Sequence, residues 1–325
     1  MKQSRKAKIL LACFMITSLM LNTGCGRQVA EISNKHYVAL ITKSTDSAFW
    51  KSVYAGANAA GTEYNLNITC NGPSAEEDYT TQNMMIKNAV ANGAEALVFS
   101  AVDYEANAEA INEAANQGVK IISIDSDVNS DKVSAHISTN NYQAGKMAGK
   151  AVIESGEKVL NIGIVNYAVN AENGQQREQG FRDRVKNDKR TTIISTINVP
   201  STTEDAKAAT MEMLKLHPEI NVIATFNEWT SLGVGWAVKN MNLADKTMVV
   251  AFDSNVISVG MLETGEVDAL VVQNPYAMGY LGVEAAYKII NGQEIENTDI
   301  DTETTLITRE NMFDQDCQRI LFAFD

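Results

Sequence analysis

"KIISIDSDVNSD" (residues 120–131) changes character halfway along. Ile121, Ile122 and Ile124 make an apolar run of strand length, and the chain then turns abruptly to Asp125, Ser126 and Asp127. "TMVVAFDSN" (247–255) repeats the move, with Val249, Val250 and Phe252 leading into Asp253, Ser254 and Asn255. An ionised carboxylate is costly to bury without a partner. A chain that twice ends an apolar strand on an acid therefore needs something opposite each acid.

Around these two runs, strands and helices alternate. "HYVALIT" (36–42), "LNITC" (66–70), "ALVFS" (96–100) and "KIISID" (120–125) are short apolar strands. The segments between them have helical spacing: 47–64 with Ser47 placed to cap it, 78–93 ended by Gly93, and 104–118 ended by Gly118. Such an order belongs to a parallel sheet with right-handed crossovers. Strands that are apolar at consecutive positions fit a sheet covered on both faces. After "AHIST" (135–139) the order begins again. Helices over 142–155, 174–187, 203–218 and 231–242 alternate with strands over 160–166, 191–198, 221–227 and 247–253. A strand over 268–275, a helix over 278–290 and a strand over 304–311 close the chain. The expected fold is α/β: two Rossmann-like lobes with parallel sheets, joined by a three-strand hinge, with no sequence repeat of fixed period. Crossings near Thr139-Asn140, at Gln273-Asn274 and at about 301–304 would assign 36–139 plus 274–303 to lobe I. Lobe II would hold 140–273 plus 304–325.

The remaining chain sets the context. Its 325 residues suit about two domains, and 45% hydrophobic content with 4 prolines is ordinary globular composition. Lys2, Arg5, Lys6 and Lys8 precede an apolar run from Ile9 to Leu21 that ends in "NTGC". This is the layout of a secretory signal over 1–24, and the apolar run is too short to span a bilayer. Cys25 after Thr23-Gly24 resembles the lipobox of bacterial lipoproteins, in which the Cys is lipidated. Asn22 stands where that box usually has Leu, and plain secretion is the alternative. On the lipoprotein reading, 25–35 is a lipid-anchored linker, and the protein is extracytoplasmic, held to the cell membrane only by that lipid. Cleavage before Cys25 would remove four of the 27 basic residues and none of the 40 acids, taking the formal charge from −13 to −17. Such a surface repels phosphates, so nucleic acid is not an expected partner. Cys70 and Cys317 would remain, either paired or as small buried hydrophobes. Three His and no zinc-like Cys/His spacing give no metal or cofactor site.

In open α/β sheets, ligands bind beyond the carboxyl ends of the strands. Asp125 and Asp253 stand at such ends, one in each lobe. Other strand ends carry Lys43, Ser47, Phe49 and Trp50, then Ser100, Asn227 with Glu228 and Trp229, and Gln273. Two readings compete. Either the acids cap the turns that follow, as Asp often does, or they hold ligand hydroxyls across a cleft. Their presence in both lobes, with aromatics at the same rim, favours the cleft. Carboxylates and carboxamides bond adjacent hydroxyls, rings pack on sugar faces, and Arg177 offers a forked donor. The set suits a neutral polyhydroxylated molecule. A phosphate site would need a Gly-rich loop, and none follows the first strand.

At these residues the chain resembles a type I periplasmic binding protein of the ribose- and galactose-binding family, the solute receptors of bacterial sugar ABC transporters. The likeness runs from about His36 to Asn311. It is carried by "VALITKSTDSAFW", "GVKIISIDSD", "HISTNNYQAGKMAG", "REQGF", "HPEINVIATFNEWTSLG", "MVVAFD" and "VVQNPYAMGYLGVEAA". It implies ligand contacts at Lys43, Ser47, Phe49, Trp50, Ser100, Asp125, Asn141, Arg177, Asn227, Asp253 and Gln273. It also implies an ABC transporter permease as partner and no enzymatic activity. The chain departs from the ribose receptor at Ser126, where that receptor has a sugar-clamping Arg, and at Ser100, Lys43 and Trp50. Ribose itself is therefore not implied. The galactose receptor's calcium loop has no counterpart after about Asn129. A repressor core of the same fold would need an N-terminal helix-turn-helix in place of the signal. An exported sugar enzyme using Asp125 and Asp253 would need a pocket that sets their pKa values apart. The alternative within binding is a receptor that signals to a membrane histidine kinase or chemoreceptor.

Overall fold

A computed structural model of the protein describes residues 35–321. The expected signal segment, Cys25 and the linker up to residue 34 lie outside the described residues.

Two six-stranded sheets form the framework. The first has the order β11-β5-β4-β3-β1-β2, with β1 (Tyr37–Ile41), β2 (Asn67–Asn71), β3 (Ala96–Phe99), β4 (Lys120–Ile124), β5 (Val133–Ser138) and β11 (Asp299–Asp301). All its pairings are parallel. The second has the order β12-β10-β9-β8-β6-β7, with β6 (Leu160–Asn166), β7 (Thr191–Asn198), β8 (Val222–Thr225), β9 (Met248–Phe252), β10 (Ala269–Val272) and β12 (Thr305–Thr308). It is parallel except where β12 runs against β10.

The consecutive apolar residues are explained by period two. Val38 and Leu40 enter one core with Ile122 and Ile124, while Ala39, Ile41 and Ile121 enter another on the opposite face. In the second sheet Val250 and Phe252 face one core, and Val249 and Ala251 the other. Each sheet is thus buried on both faces, as continuous hydrophobic strands require.

Helices α1 (Ala48–Glu63) and α9 (Pro275–Ile290) cover one face of the first sheet; α2 (Tyr79–Ala91) and α3 (Ala108–Asn116) cover the other. On the second sheet α4 (Asn141–Glu154) and α5 (Glu172–Val185) share one face. The opposite face takes α6 (Thr203–Leu216), α7 (Glu228–Asn240), α8 (Val256–Thr264) and α10 (Gln315–Leu321). The chain passes from sheet to sheet between β5 and α4, between β10 and α9, and between β11 and β12. Glycines bring paired helices close. A Cβ on Gly279 would fall 2.0 Å from the Val53 carbonyl oxygen, and one on Gly145 would fall 1.9 Å from that of Arg177. The second approach seats Arg177 beside α4.

Three helix starts differ from the sequence reading by three residues or more. The helix expected over 104–118 begins only at Ala108. The Asp103 carboxylate accepts from Glu105 N and Ala106 N at 3.0 and 2.9 Å, which holds that stretch in a turn. The helix expected from Ser231 begins at Glu228, because Asn227 and Thr230 form a reciprocal capping box. The helix expected from Met278 begins at Pro275, which sits at the first helical position, where its missing N–H costs nothing. Cys70 and Cys317 are both free thiols.

Candidate ligand-binding cleft

The carboxyl ends of both sheets meet around one small cavity. From the first lobe it is lined by Lys43, Ser47, Phe49, Trp50, Glu76 and Asp125. The second lobe supplies Tyr167, Asn173, Arg177, the run Asn227-Glu228-Trp229, Asp253 and Gln273.

The two acids share a backbone conformation. Asp125 has φ 57° and Asp253 φ 66°, left-handed values at which the chain leaves its strand. Asp and Asn tolerate this region better than other side chains do, because their short polar groups bond locally. The residue type thus serves the turn and the cavity together, so the two competing readings of the sequence are both incomplete. Neither acid caps a following helix: Asn255 caps α8 by a capping box.

Their surroundings differ. Asp125 is saturated. Oδ2 accepts from Ser100 Oγ at 3.0 Å and lies 3.5 Å from Lys43 Nζ, and Oδ1 accepts from Asn173 Nδ2 at 3.0 Å. The Arg177 guanidinium stands 3.8 Å away. Asp253 has one hydrogen-bond partner among the described residues, Gln273 Nε2 at 2.6 Å. Burial pushes its carboxyl up to about 7, against the pull of Arg177 and Gln273, with Glu228 and Asp125 adding like charge. One acid has both oxygens engaged by its neighbours' donors; the other has an oxygen to spare for a ligand.

Arg177 joins the second lobe's contributions. It is 1% exposed. Its Nε donates to Asn141 Oδ1 at 2.8 Å, Nη1 to the Phe226 carbonyl at 2.7 Å and Nη2 to Gln273 Oε1 at 2.7 Å. The guanidinium lies 5.0 Å over the Phe252 ring. Three of its five N–H groups are used, which leaves two for the cavity.

Asn173 carries the polar network across the lobes. Its Oδ1 accepts from Tyr167 Oη at 2.7 Å and from Lys43 Nζ at 3.3 Å, while its amide reaches Asp125. Burial raises the Tyr167 phenol well above its usual range, so it is a neutral donor here. Glu76 clasps both indoles. Its Oε1 accepts from Trp50 Nε1 at 2.8 Å and from Trp229 Nε1, of the other lobe, at 3.2 Å. Burial raises this carboxyl too, against Lys43 and the two indole donors. At the rim Asn170 donates to Asp103 at 2.9 Å, and Ser201 N to Glu77 at 2.7 Å.

Of the eleven expected contacts, nine line the cavity. Ser100 and Asn141 stand behind it, as partners of Asp125 and Arg177. Asn227 spends its side-chain oxygen on the Thr230 amide at 2.9 Å, and its amide nitrogen donates to Ser201 Oγ at 3.4 Å. Glu76, Tyr167 and Asn173 were not anticipated. Nothing in the residue pattern around them marks them.

A family profile described as a periplasmic binding protein domain matches residues 38–294. The chain belongs to this family. Proteins of this family are binding components of transport and not enzymes. A relative, the D-ribose/D-allose-binding protein of Pseudomonas aeruginosa, is 24% identical over 92% of this chain and 97% of its own. A carbohydrate transporter solute-binding protein from Agrobacterium radiobacter, solved in complex with D-arabinose, superposes with a TM-score of 0.86. It is 29% identical, over 89% of this chain and 99% of that one. An ABC transporter solute-binding protein from Agrobacterium vitis with bound D-fucose has a TM-score of 0.84 and 29% identity, over 88% and 99% of the two chains. No helix among the described residues is long and apolar enough to cross a membrane.

Proposed function

We propose that this periplasmic binding protein captures a monosaccharide, or a similar polyhydroxylated ligand, between its two lobes and delivers it to an ABC importer. The observation that carries the reading is the cavity itself. Opposite lobes supply carboxylates, carboxamides, a guanidinium and two indoles to one cavity. Two related structures hold D-arabinose and D-fucose, a pentose and a deoxyhexose. On this reading 36–139 with 274–303 and 140–273 with 304–325 are rigid halves moving about the three crossings. A ligand that touches both halves shifts the open–closed equilibrium by its differential affinity.

A thermal screen over pentoses, hexoses, deoxyhexoses and polyols tests this. A sugar present at about 100 times its dissociation constant adds about 2.7 kcal/mol, a rise in melting temperature of roughly 5–10 °C. That sugar should also shrink the radius of gyration. A screen in which no sugar or polyol stabilises the protein would sink the ligand class, and an unchanged radius would sink the closure.

The anchor completes the reading. Cys25 bears the lipid that holds the mature protein at the outer face of the cell membrane. Cys25→Ser should move it from the membrane to the soluble fraction. A wild-type protein that is already soluble and begins downstream of Cys25 contradicts the anchor.

A further inference from the structure

Glu228 has no cationic partner among the described residues, although it is 7% exposed. Its compensation comes from the opposite lobe. Oε1 accepts from Ala48 N at 3.2 Å and Oε2 from Phe49 N at 3.1 Å, the first two amides of α1. That helix has no acid in its own first turn, and Ser47 satisfies only the Trp50 amide. The free N–H groups and positive dipole end of α1 are therefore met by a carboxylate that α7 reaches across the cleft. A third donor fixes the carboxylate: Asn255 Nδ2 reaches Oε1 at 2.8 Å. Asn255 is itself immobilised, because its side-chain oxygen accepts from Ile257 N and Ser258 N, both at 2.9 Å.

The position gives these bonds a consequence. Phe49 and Trp50 follow directly on the capped amides, and Asn227 and Trp229 flank Glu228; all four line the cavity. A bond between Glu228 and the start of α1 sets the separation of these two walls. It exists only while the lobes are together, and opening the cleft removes two of the carboxylate's three donors.

We propose that Glu228 is a positioning residue for ligand capture, a carboxylate of the second lobe that caps the first helix of the first lobe and so holds the cleft closed around its ligand. The plainer role is that Glu228, at the first position of α7, only complements the dipole of its own helix. The two roles separate when the bond is cut from the far side. Ala48→Pro removes a donor without touching α7. Proline suits the first helical position, and Ser47, at φ −76° and ψ 160°, has the extended backbone that a residue before proline adopts. Glu228→Ala removes both acceptor oxygens from the near side.

The inference rests on the two-lobe closure described above, and scattering without any ligand tests it. Both variants should show a larger radius of gyration than wild type. The sugar found by the thermal screen should bind each about tenfold more weakly, chiefly through faster dissociation. The double variant should be no worse than Glu228→Ala alone, since that substitution already removes the bond that Ala48→Pro cuts. Melting of the ligand-free Ala48→Pro protein should stay near wild type. An Ala48→Pro protein with wild-type radius and sugar dissociation, or effects that add in the double variant, overturns the assignment. Failure of the closure itself would read differently: wild type would keep its radius when saturated with that sugar.

Discussion

Arg177→Met should abolish measurable ligand binding and destabilise the ligand-free protein by about 3–5 kcal/mol, the range for removing one partner of a buried charge network. The fully buried guanidinium bonds Asn141, the Phe226 carbonyl and Gln273, and it stands 3.8 Å from Asp125. Methionine fills the volume and leaves three acceptors without donors. It also removes the positive charge that opposes the upward shift of Asp253, so that acid would hold its proton to still higher pH. Arg177→Lys should fall between, because an ammonium restores the charge but cannot reach three acceptors in divergent directions. Denaturant unfolding and titration calorimetry of the two variants measure both effects. A Met variant with wild-type stability would show that the network is not the second lobe's polar core.

The framework was legible because burial on both faces writes itself into the sequence. Runs such as Ile121-Ile122 and Val249-Val250 are apolar at consecutive positions, and left-handed glycines, Gly93 at φ 82° and Gly118 at φ 92°, mark where helices turn back. The helix starts at Glu228 and Pro275 were missed for a physical reason. Asn227 and Asn274 are both strand-end residues and N-caps, and reading them only as rim residues hid the caps. Their signals were present, as Thr230 three residues after Asn227 and as Pro275 itself.

The site was legible only where it follows strands. Asp125, Asp253 and Gln273 announce themselves as polar residues after apolar runs. Arg177 lies in a helix and was singled out by its forked donor and not by a strand end. Glu76 sits in the loop between β2 and α2, Tyr167 in that between β6 and α5, and Asn173 in the first turn of α5; no period governs such positions. Nor does a sequence show left-handed backbone. At φ 57° and 66° an alanine in place of either acid would strain the turn as well as remove a ligand contact.

That strain is why the test of Asp253 uses asparagine, which keeps the left-handed tolerance and the volume. Asp253→Asn should make the ligand-free protein more stable at pH 8 while weakening sugar binding roughly 10- to 100-fold. In the folded protein the carboxyl titrates at about 7, raised chiefly by burial; in the unfolded chain it titrates near its ordinary value of about 3.9. Below about pH 4 both states hold the proton and nothing is lost. As pH rises from there through 7, the unfolded state ionises first and stability falls; above 7 the loss is complete, on the order of 4 kcal/mol. Asparagine removes that slope, so the two stability profiles should converge in acid and separate toward pH 8. Glu76 is raised in the same direction, but it is common to both proteins and cancels in the difference. Binding should show the complementary trend. Ligand hydroxyls favour the ionised acceptor, so wild-type affinity should climb with pH up to about 7 and then level, whereas the variant stays flat. A variant that follows the wild-type stability profile, or binds with undiminished affinity, would remove Asp253 from the site. The result expected instead is a buried acid kept at a cost to stability because the ligand needs it.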